Sequence, residues 1–362
     1  MARRYGTLIL VGCLMVPAAI AATYVAWAGE AGTAAKSDDS AKAAAETKRV
    51  ADLKTAIEVL RPLHTKLGKP QPGEWLDRFD EPGQTFDQYL KCDPAVPQGK
   101  RSVIYIQPLG NFTPAQREIV RQTADFMGRY YGLKVTTREG LPLSIIPAKA
   151  RRKHPQWGME QVLTTYVLDD VLKPRLPDDA AAYIAFTTSD LWPGEGWNFV
   201  FGQASLKQRV GVWSIYRNGS LDAGPDERRL CLLRTIKTAV HETGHMFSMR
   251  HCTAYECCMC GSNHREEADR RPLWLCPECM AKACWATRTD PVKRYEGLRD
   301  FCRDAGLTDA EKFYGRCIVA LTAAGKAAPA AESRPAVPAS EADADTEEAP
   351  SSSTGRNDSS VR

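Results

Sequence analysis

The stretch of sequence that decides the fold is a run of eleven residues with three histidines: His241-Glu242-Thr243-Gly244-His245-Met246-Phe247-Ser248-Met249-Arg250-His251. It lies at the end of a long helix, which the apolar spacing predicts over 229–247. Residues four apart lie on one helical face, so His241 and His245 can bind the same metal ion. Glu242 is offset around the helix. From there its carboxylate can reach a water molecule on that ion without binding the ion itself.

His251 becomes a third ligand if the helix ends near Ser248. A continuous helix would carry His251 off the shared face, whereas a turn brings it back. This is the metzincin signature H-E-x-x-H-x-x-G-x-x-H, with Ser248 in place of glycine. Serine adopts the left-handed backbone angle of such a turn at a cost of about 1 kcal/mol. We therefore expect His241, His245 and His251 to hold a catalytic zinc ion.

The cysteines are concentrated directly after these histidines. The chain has 12 cysteines, and seven of them lie between Cys252 and Cys284. Such clustering indicates a metal site before it indicates a disulfide framework. An early C-x4-C pair and a later C-x-x-C pair supply four thiolates, which is enough to close a tetrahedral structural zinc site. The expected ligands are Cys252, Cys257, Cys276 and Cys279.

Together these motifs resemble the archaemetzincins (archaelysins), a family of the metzincin clan, and especially its eukaryotic-type members. The three-histidine motif runs directly into C-x4-C-x-M, and the C-x-x-C pair follows. The likeness extends to Gly83-Gln84-Thr85-Phe86, to Gly261-Ser262-Asn263-His264 and to 197–205. The resemblance implies a zinc-dependent peptidase with two zinc ions, one catalytic and one structural. Its substrate would be a peptide or protein, and family members are often assigned aminopeptidase character.

The resemblance also implies an α/β fold of the α+β, metzincin-like kind. A twisted mixed β-sheet would lie above the active-site helix, with a cysteine-rich structural zinc segment over 252–284. Met259 would form the methionine turn beneath the catalytic zinc. The edge strand along the substrate cleft would contain Phe199, Val200, Phe201 and Gly202.

The remaining cysteines have less defined roles. Cys258 and Cys260 fall at positions that the family motif leaves open, so we expect spare thiols, although either could replace Cys257 in another register. Cys284 is expected in the core. Four others could pair as disulfides or stay free: Cys92, Cys231, Cys302 and Cys317.

Strand and helix patterns alternate through the body of the chain, which predicts a sheet with helices packed on it. Thr113 can cap a helix that ends at Gly132. The predicted strands are 102–106, 133–137, 181–186, 197–202 and 210–216. The predicted helices are an amphipathic one that begins near Val50, then 113–131, 160–172 and 229–247.

The N-terminus has the pattern of a targeting segment. Ala2-Arg3-Arg4 is basic, and an apolar run follows over 8–28. A cleaved signal peptide, a lipoprotein signal ending at Cys13 and an uncleaved membrane anchor all fit this pattern. Each predicts an exported chain, periplasmic or extracellular, or one anchored by its N-terminus.

The predicted organisation follows from these patterns and from composition. It comprises a signal peptide or anchor (1–28), a flexible spacer (29–46), a helical and irregular extension (47–99), a metzincin-type catalytic domain (100–322) and a disordered tail (323–362).

Composition excludes one class of partner. The chain has 362 residues and a net charge of +4, which does not indicate a nucleic-acid binder.

Two alternatives to an active peptidase stay open. One is an exported, non-catalytic, zinc-stabilised binding protein, and the other is a pseudopeptidase, which Ser248 alone would support. His64 and His154 are expected at the surface, and His264 either in the cleft or in a structural hydrogen bond. The sequence leaves the oligomeric state open.

Overall fold

The computed structural model describes residues 18–205 and 208–327. The strands are β1 (Val103–Leu109), β2 (Lys134–Thr137), β3 (Arg151–Lys153), β4 (Glu160–Leu163), β5 (Ala180–Thr187), β6 (Asp190–Trp192), β7 (Gly202–Ser205) and β8 (Val210–Ser214). Five of them form a mixed sheet in the order β2-β1-β5-β8-β7. All neighbours pair in parallel except β7, which lies antiparallel to β8 at one edge. This is the mixed α/β sheet that the sequence predicted.

Helices cover this sheet and continue beyond it. They are α1 (Ala18–Leu60), α2 (Trp75–Arg78), α3 (Phe86–Lys91), α4 (Pro114–Tyr131), α5 (Thr164–Tyr166), α6 (Pro225–Met246), α7 (Arg265–Arg270), α8 (Pro277–Thr287), α9 (Pro291–Asp304) and α10 (Thr308–Ala327). Among the described residues, no helix is both long and apolar enough to cross a bilayer.

Helix α4 has the ends that its sequence predicted. The Thr113 hydroxyl accepts a hydrogen bond from the Gln116 amide at 3.2 Å, and the Gln116 side chain accepts one from the Thr113 amide at 2.8 Å. Such a capping box satisfies amide groups that lack partners in the first turn. Gly132 ends the helix in the left-handed conformation, with φ of 61°.

Helix α6 packs beneath the sheet and carries the histidine motif at its C-terminal end. Pro225 occupies its first turn, and Asp226 and Glu227 place negative charge near its positive end. Ile236 and Val240 are buried in the main core. Burial of such a side chain contributes roughly 1.5–3 kcal/mol, so the helix is held rigidly under the sheet.

The predicted flexible spacer over 29–46 is helical in the structure. Helix α1 runs through it without a break, because alanine-rich sequence has high helix propensity. Its later turns are also held by tertiary contacts. Glu46 accepts a hydrogen bond from the Trp285 indole at 2.6 Å, and Arg49 donates to the Trp285 carbonyl at 3.0 Å.

The helix predicted over 160–172 begins as a strand instead. Residues 160–163 form β4, the middle strand of a small sheet in the order β3-β4-β6. The buried Gln161 side chain donates to Asp190 on β6 at 2.8 Å, so pairing across the sheet overrides the local helical pattern. Helical structure starts only at α5 and continues as a π-helical segment, Val167–Leu172.

Two predictions concern the ends of the chain, which the structure describes only in part. Helix α10 extends to Ala327, so the first residues of the predicted disordered tail are helical. The rest of that tail, 328–362, lies outside the described residues. So do residues 1–17, which carry most of the predicted signal segment.

Candidate metal centres

The histidine motif brings three imidazoles together at the end of α6. The Nε2 atoms of His241 and His245 lie 3.0 Å apart, close to the roughly 3.3 Å expected for two nitrogens on one tetrahedral zinc. The ring centroid of His251 lies 5.3 Å from that of His241 and 4.8 Å from that of His245. Ligating atoms of the three residues all lie within 4.8 Å of one another. This nitrogen donor set fits a zinc ion.

Ser248 makes the turn that returns His251 to the site. Its φ is 65°, the left-handed conformation predicted for this position. The amides of Phe247 and Met249 donate to the Gly244 carbonyl at 3.1 and 3.0 Å, which closes the end of the helix. The Ser248 hydroxyl accepts a hydrogen bond from the Ala95 amide at 2.9 Å. The serine therefore forms the turn and adds a contact that glycine could not make.

Backbone carbonyls orient the two helical histidines. Nδ1 of His241 lies 2.8 Å from the Cys258 carbonyl oxygen, and Nδ1 of His245 lies 2.7 Å from that of Met249. Each Nδ1–H donates to its carbonyl, so the hydrogen-bond pattern assigns the tautomer that leaves Nε2 free for a metal.

A carboxylate orients the third histidine. Nδ1 of His251 lies 2.8 and 3.0 Å from the two carboxylate oxygens of Glu81. The ring of Trp75 packs edge-on against His251, with centroids 5.0 Å apart. Sequence reasoning missed both residues. The available signal was position: Glu81 lies immediately before the family-like segment at Gly83.

The three imidazoles are neutral at physiological pH. Burial lowers the pKa of His241 and of His245 to about 4, and that of His251 to about 3. A neutral imidazole is the form that binds a metal, so the ligands need not lose a proton at pH 7.

Glu242 follows the first ligand and faces the same cavity as His241. Burial raises the pKa of its carboxyl above the ordinary value. A carboxylate with a raised pKa is a stronger base than an exposed one.

Met259 lies against the active-site helix, as the methionine turn requires. It is buried, and a Cβ on Gly244 would lie 2.7 Å from its sulfur. Gly244 is thus the residue that allows the methionine to approach between His241 and His245. The Met259 carbonyl accepts a hydrogen bond from the Cys252 amide at 2.8 Å, which joins this turn to the cysteine cluster.

Four buried thiols form a second candidate site. The sulfur atoms of Cys252, Cys257, Cys276 and Cys279 all lie within 4.8 Å of one another. Those of Cys252 and Cys276 are 3.6 Å apart, against about 3.8 Å for two sulfurs on a tetrahedral zinc. These are the four cysteines that the sequence predicted, and their donor set fits a structural zinc ion without an open position.

Nearby donors stabilise negative charge on this cluster. Amides of Cys276 and Met259 donate to the Cys257 sulfur at 3.2 and 3.4 Å. The buried Lys282 ammonium lies 3.9 Å from the Cys279 sulfur and also donates to the Gln84 carbonyl. A buried cation offsets part of the charge of four thiolates. Sequence reasoning missed Lys282, because nothing in its local pattern marks a buried lysine.

None of the other cysteines between residues 18 and 327 forms a disulfide. Cys258 and Cys260 are buried but lie outside the four-sulfur set, and Cys284 is buried in the core. The cysteines that could have formed disulfides are all free thiols; Cys92 is exposed, whereas Cys231, Cys302 and Cys317 are buried.

The predicted edge strand is displaced along the chain. Strand β7 is the edge of the main sheet, but it begins at Gly202, so Phe199, Val200 and Phe201 precede it. Val200 forms only an isolated bridge with Leu191. The Phe201 carbonyl accepts a hydrogen bond from the Ser214 amide of β8 at 2.9 Å, and the Arg217 guanidinium lies 3.7 Å from the Phe199 ring centroid. Of the four residues predicted in the edge strand, Gly202 lies in β7, whereas Phe199, Val200 and Phe201 lie before it.

The histidines outside the motif have structural positions. His154, expected at the surface, is buried, stacks on Trp157 and accepts hydrogen bonds from two amides. His64 packs against Phe313, and both its ring nitrogens are buried without a partner. Nδ1 of His264 accepts a hydrogen bond from the Glu267 amide at 3.3 Å and so caps α7. Of the two positions expected for His264, the cleft or a structural hydrogen bond, the structure shows the hydrogen bond.

Comparison with known proteins identifies a family for this sequence. The model of peptidase family M54 matches residues 106–283. Human archaemetzincin-2 is 36% identical over 259 residues, which cover 63% of this chain and 71% of that protein. The archaemetzincin of Thermococcus kodakarensis is 32% identical and covers 50% of this chain and 94% of its own length. A crystal structure of archaemetzincin from Archaeoglobus fulgidus aligns with a TM-score of 0.39 at 27% identity, over 50% of this chain and 99% of that one.

The residues that match the family model, 106–283, contain the histidine and cysteine motifs that the fold assembles into two candidate zinc sites. The chain therefore belongs to the archaemetzincin family, peptidase family M54, and is a zinc metallopeptidase.

Proposed function

We propose that this chain hydrolyses peptide bonds with Glu242 as the general base. The observation that carries the proposal is the assembly of His241, His245 and His251 around one point, with Glu242 lining the adjoining cavity. A zinc ion bound there would polarise the scissile carbonyl and lower the pKa of a water molecule bound to it. The Glu242 carboxylate would take the proton from the attacking water and pass it to the departing amine.

Strand β7 is where the substrate backbone would bind. Among the described residues it has one neighbour, β8, so its other edge is free to pair with an extended peptide. Strand addition supplies backbone hydrogen bonds regardless of sequence and leaves selection to side-chain pockets. Pairing along β7 would hold the scissile bond in a defined position relative to Glu242.

We further propose two zinc ions, one on the three histidines and one on the four cysteines. The two donor sets share no residue, and the thiol site has no exposed ligand. A thiolate-only site stabilises a fold and leaves no position for substrate.

We propose more specifically that the chain is an aminopeptidase, which removes residues from the N-terminus of its substrate. The support for this is the family resemblance. Pairs of peptides with free and acetylated N-termini distinguish it from internal cleavage. Loss of cleavage on acetylation indicates an aminopeptidase, whereas equal cleavage of both peptides indicates an endopeptidase.

The decisive experiment compares the zinc-loaded wild type with Glu242→Gln on a mixed peptide library read by mass spectrometry. Removal of a general base typically lowers the rate by about 10²–10⁴-fold. The variant should retain the wild-type zinc content, because Glu242 is not among the ligands. Equal cleavage by both proteins would exclude Glu242 as the base. A folded, zinc-loaded wild type that cleaves nothing would favour a pseudopeptidase.

Export from the cytoplasm is a separate proposal that rests on the basic and apolar N-terminal sequence over 2–28. The burial of all four cysteine ligands supports it, since buried thiolates on zinc are shielded from oxidants outside the cell. Fractionation with N-terminal sequencing tests it. A cytosolic protein with an intact N-terminus would overturn it.

A further inference from the structure

A small cavity lies beside Glu242, between α6, α7 and the segment that leads into β7. His241 and Glu242 line it on one side, and Phe201 and Arg265 line it as well. Its volume is about 110 Å³. A space of this volume has room for a small polar group such as a carboxylate.

The cavity wall includes several charged residues, and among them cations outnumber anions. The anions are Glu242 and Asp269, and the cations are Arg234, Lys237, Arg265 and Arg271. Which cation is available to a ligand depends on how the others are already paired.

Two of these cations already bond to groups in α7 and in the residue that follows it. The Arg234 guanidinium makes a bidentate pair with the Asp269 carboxylate, at 2.9 and 2.6 Å. The Lys237 ammonium donates to three backbone carbonyls at the end of α7, at 2.6 to 3.2 Å. An ammonium has three donors, so Lys237 has none left for a substrate.

A third cation is neutralised by two carboxylates. Arg271 is buried and pairs with Glu256 at 2.8 Å and with Glu267 at 3.0 Å. Its charge is therefore satisfied inside the protein.

Arg265 is different. Its Nη2 donates only to neutral oxygens, the Arg217 carbonyl at 2.9 Å and the Asn218 side chain at 3.2 Å. It forms no ion pair within the described residues, and its guanidinium carbon lies 3.9 Å from the Phe201 ring centroid. Burial lowers the pKa of Arg265 to about 10, so the group is still charged at pH 7. Asp269 and Glu266 act on its charge only from beyond ion-pair distance, and its Nε and Nη1 are unbonded to the described residues.

We propose that this cavity binds a substrate carboxylate and that Arg265 is the residue that selects it. The proposal rests on the proposed peptidase function and names the substrate class of the same site. The N–H groups of a guanidinium make charge-assisted hydrogen bonds with a carboxylate, and Nε and Nη1 of Arg265 are the donors that remain unbonded to the described residues. The cavity admits a group of that size. The carboxylate comes either from an acidic side chain next to the scissile bond or from the C-terminus of a short peptide.

Matched peptides separate these sources. One set carries Asp, Asn or Ala at each position that flanks the cleavage site, and each peptide is made with a free and an amidated C-terminus. The expected result is a kcat/KM about ten- to a hundredfold higher for the carboxylate than for its amide counterpart. Preference for Asp over Asn identifies a side chain, and preference for the free acid identifies the C-terminus.

Variants assign the preference to Arg265. Arg265→Gln should abolish it, and Arg265→Lys should restore part of it. Arg121→Gln, on the exposed face of α4, should retain it in full. A wild type without preference, or a preference that survives Arg265→Gln, overturns the proposal.

Binding to the zinc-loaded Glu242→Gln protein tests the inference independently of turnover. Calorimetry with the Asp and Asn peptides, in acid and amide forms, should show at least tenfold tighter binding of the carboxylate. That difference should vanish when Arg265→Gln is added. Equal affinities would overturn the carboxylate site even if the chain proves to be a peptidase. Selective binding without cleavage by the wild type would instead count against the peptidase function.

Discussion

The Glu81 carboxylate lies 2.8 Å from Nδ1 of His251, although 170 residues separate them in the chain. Residue 81 belongs to the segment that the sequence predicted as an extension outside the catalytic domain. The contact shows that this extension reaches the candidate catalytic metal site. We therefore expect part of the zinc affinity to depend on residues well before the histidine motif.

Glu81→Ala should weaken zinc binding at the histidine site. Loss of a hydrogen-bonding partner to a ligating histidine typically lowers metal affinity by about 10–100-fold. Competition with a chelator would measure the zinc dissociation constant. Glu118→Ala, on the exposed surface of α4, is the matched control and should leave that constant unchanged. Unchanged affinity in Glu81→Ala would show that the carboxylate is not needed to orient His251.

Two substitutions at Ser248 should separate backbone strain from its hydrogen bond. Ser248→Gly relieves a left-handed strain of about 1 kcal/mol and loses the bond from the Ala95 amide, worth about 1 kcal/mol, so stability should change little. Ser248→Val loses the same bond and places a β-branched residue at positive φ. We expect it to lower the free energy of unfolding by about 2–3 kcal/mol. Urea unfolding of the zinc-loaded proteins would measure both, and equal stability of the two variants would contradict this account.

Cys276→Ala should remove one zinc ion and much of the stability. The sulfur of Cys276 lies among the four candidate ligands, and structural zinc contributes directly to folding. Elemental analysis should report one fewer zinc per chain, and thermal unfolding should shift to lower temperature. Cys260→Ala is the informative control, because Cys260 is equally buried but outside the set. An unchanged zinc content in Cys276→Ala would reject the assigned ligands.

The partnerless imidazole of His64 should make stability depend on pH. Burial lowers the pKa of His64 from 6.5 to about 4, so the unfolded chain binds the proton more tightly. The neutral buried ring therefore contributes its full stability above pH 6.5, and this contribution is lost as the pH falls toward 4. Between pH 7 and pH 5 the loss should be about 1–2 kcal/mol, as 1 pKa unit corresponds to about 1.4 kcal/mol.

His64→Phe keeps the edge-on contact with Phe313 but has no group that titrates. It should therefore lack the loss of stability between pH 7 and pH 5 that is due to His64. Urea unfolding of both proteins at the two pH values, with excess zinc, measures the difference between them. The same loss in both proteins would assign it to other groups.

Much of the fold could be predicted because it depends on short-range patterns. Thr113 begins α4 because its side chain caps the first turn, and Gly132 ends it because glycine adopts the left-handed conformation easily. The structure shows both features. The predictions failed where tertiary contacts override local preference. The Gln161 side chain bonds to Asp190 on the neighbouring strand, where a helix had been predicted. Before Gly202, Val200 forms an isolated bridge with Leu191 on β6, and Phe199 packs against the Arg217 guanidinium.

By itself the sequence predicted the candidate metal ligands and Glu242. Helical spacing places His241 and His245 on one face, and the C-x4-C and C-x-x-C spacings mark two pairs of thiols suited to one metal ion. Only the tertiary structure decided what surrounds them. Glu81 reaches His251 from 170 residues away, and Lys282 reaches the Gln84 carbonyl across 198 residues. The lack of an ion-pair partner for Arg265 among the described residues is also evident only from the tertiary structure. The neighbouring cations are paired: Arg234 and Lys237 with groups of α7 and the residue after it, and Arg271 with Glu256 and Glu267. Contacts between distant segments depend on how the whole chain packs, and no local pattern encodes them.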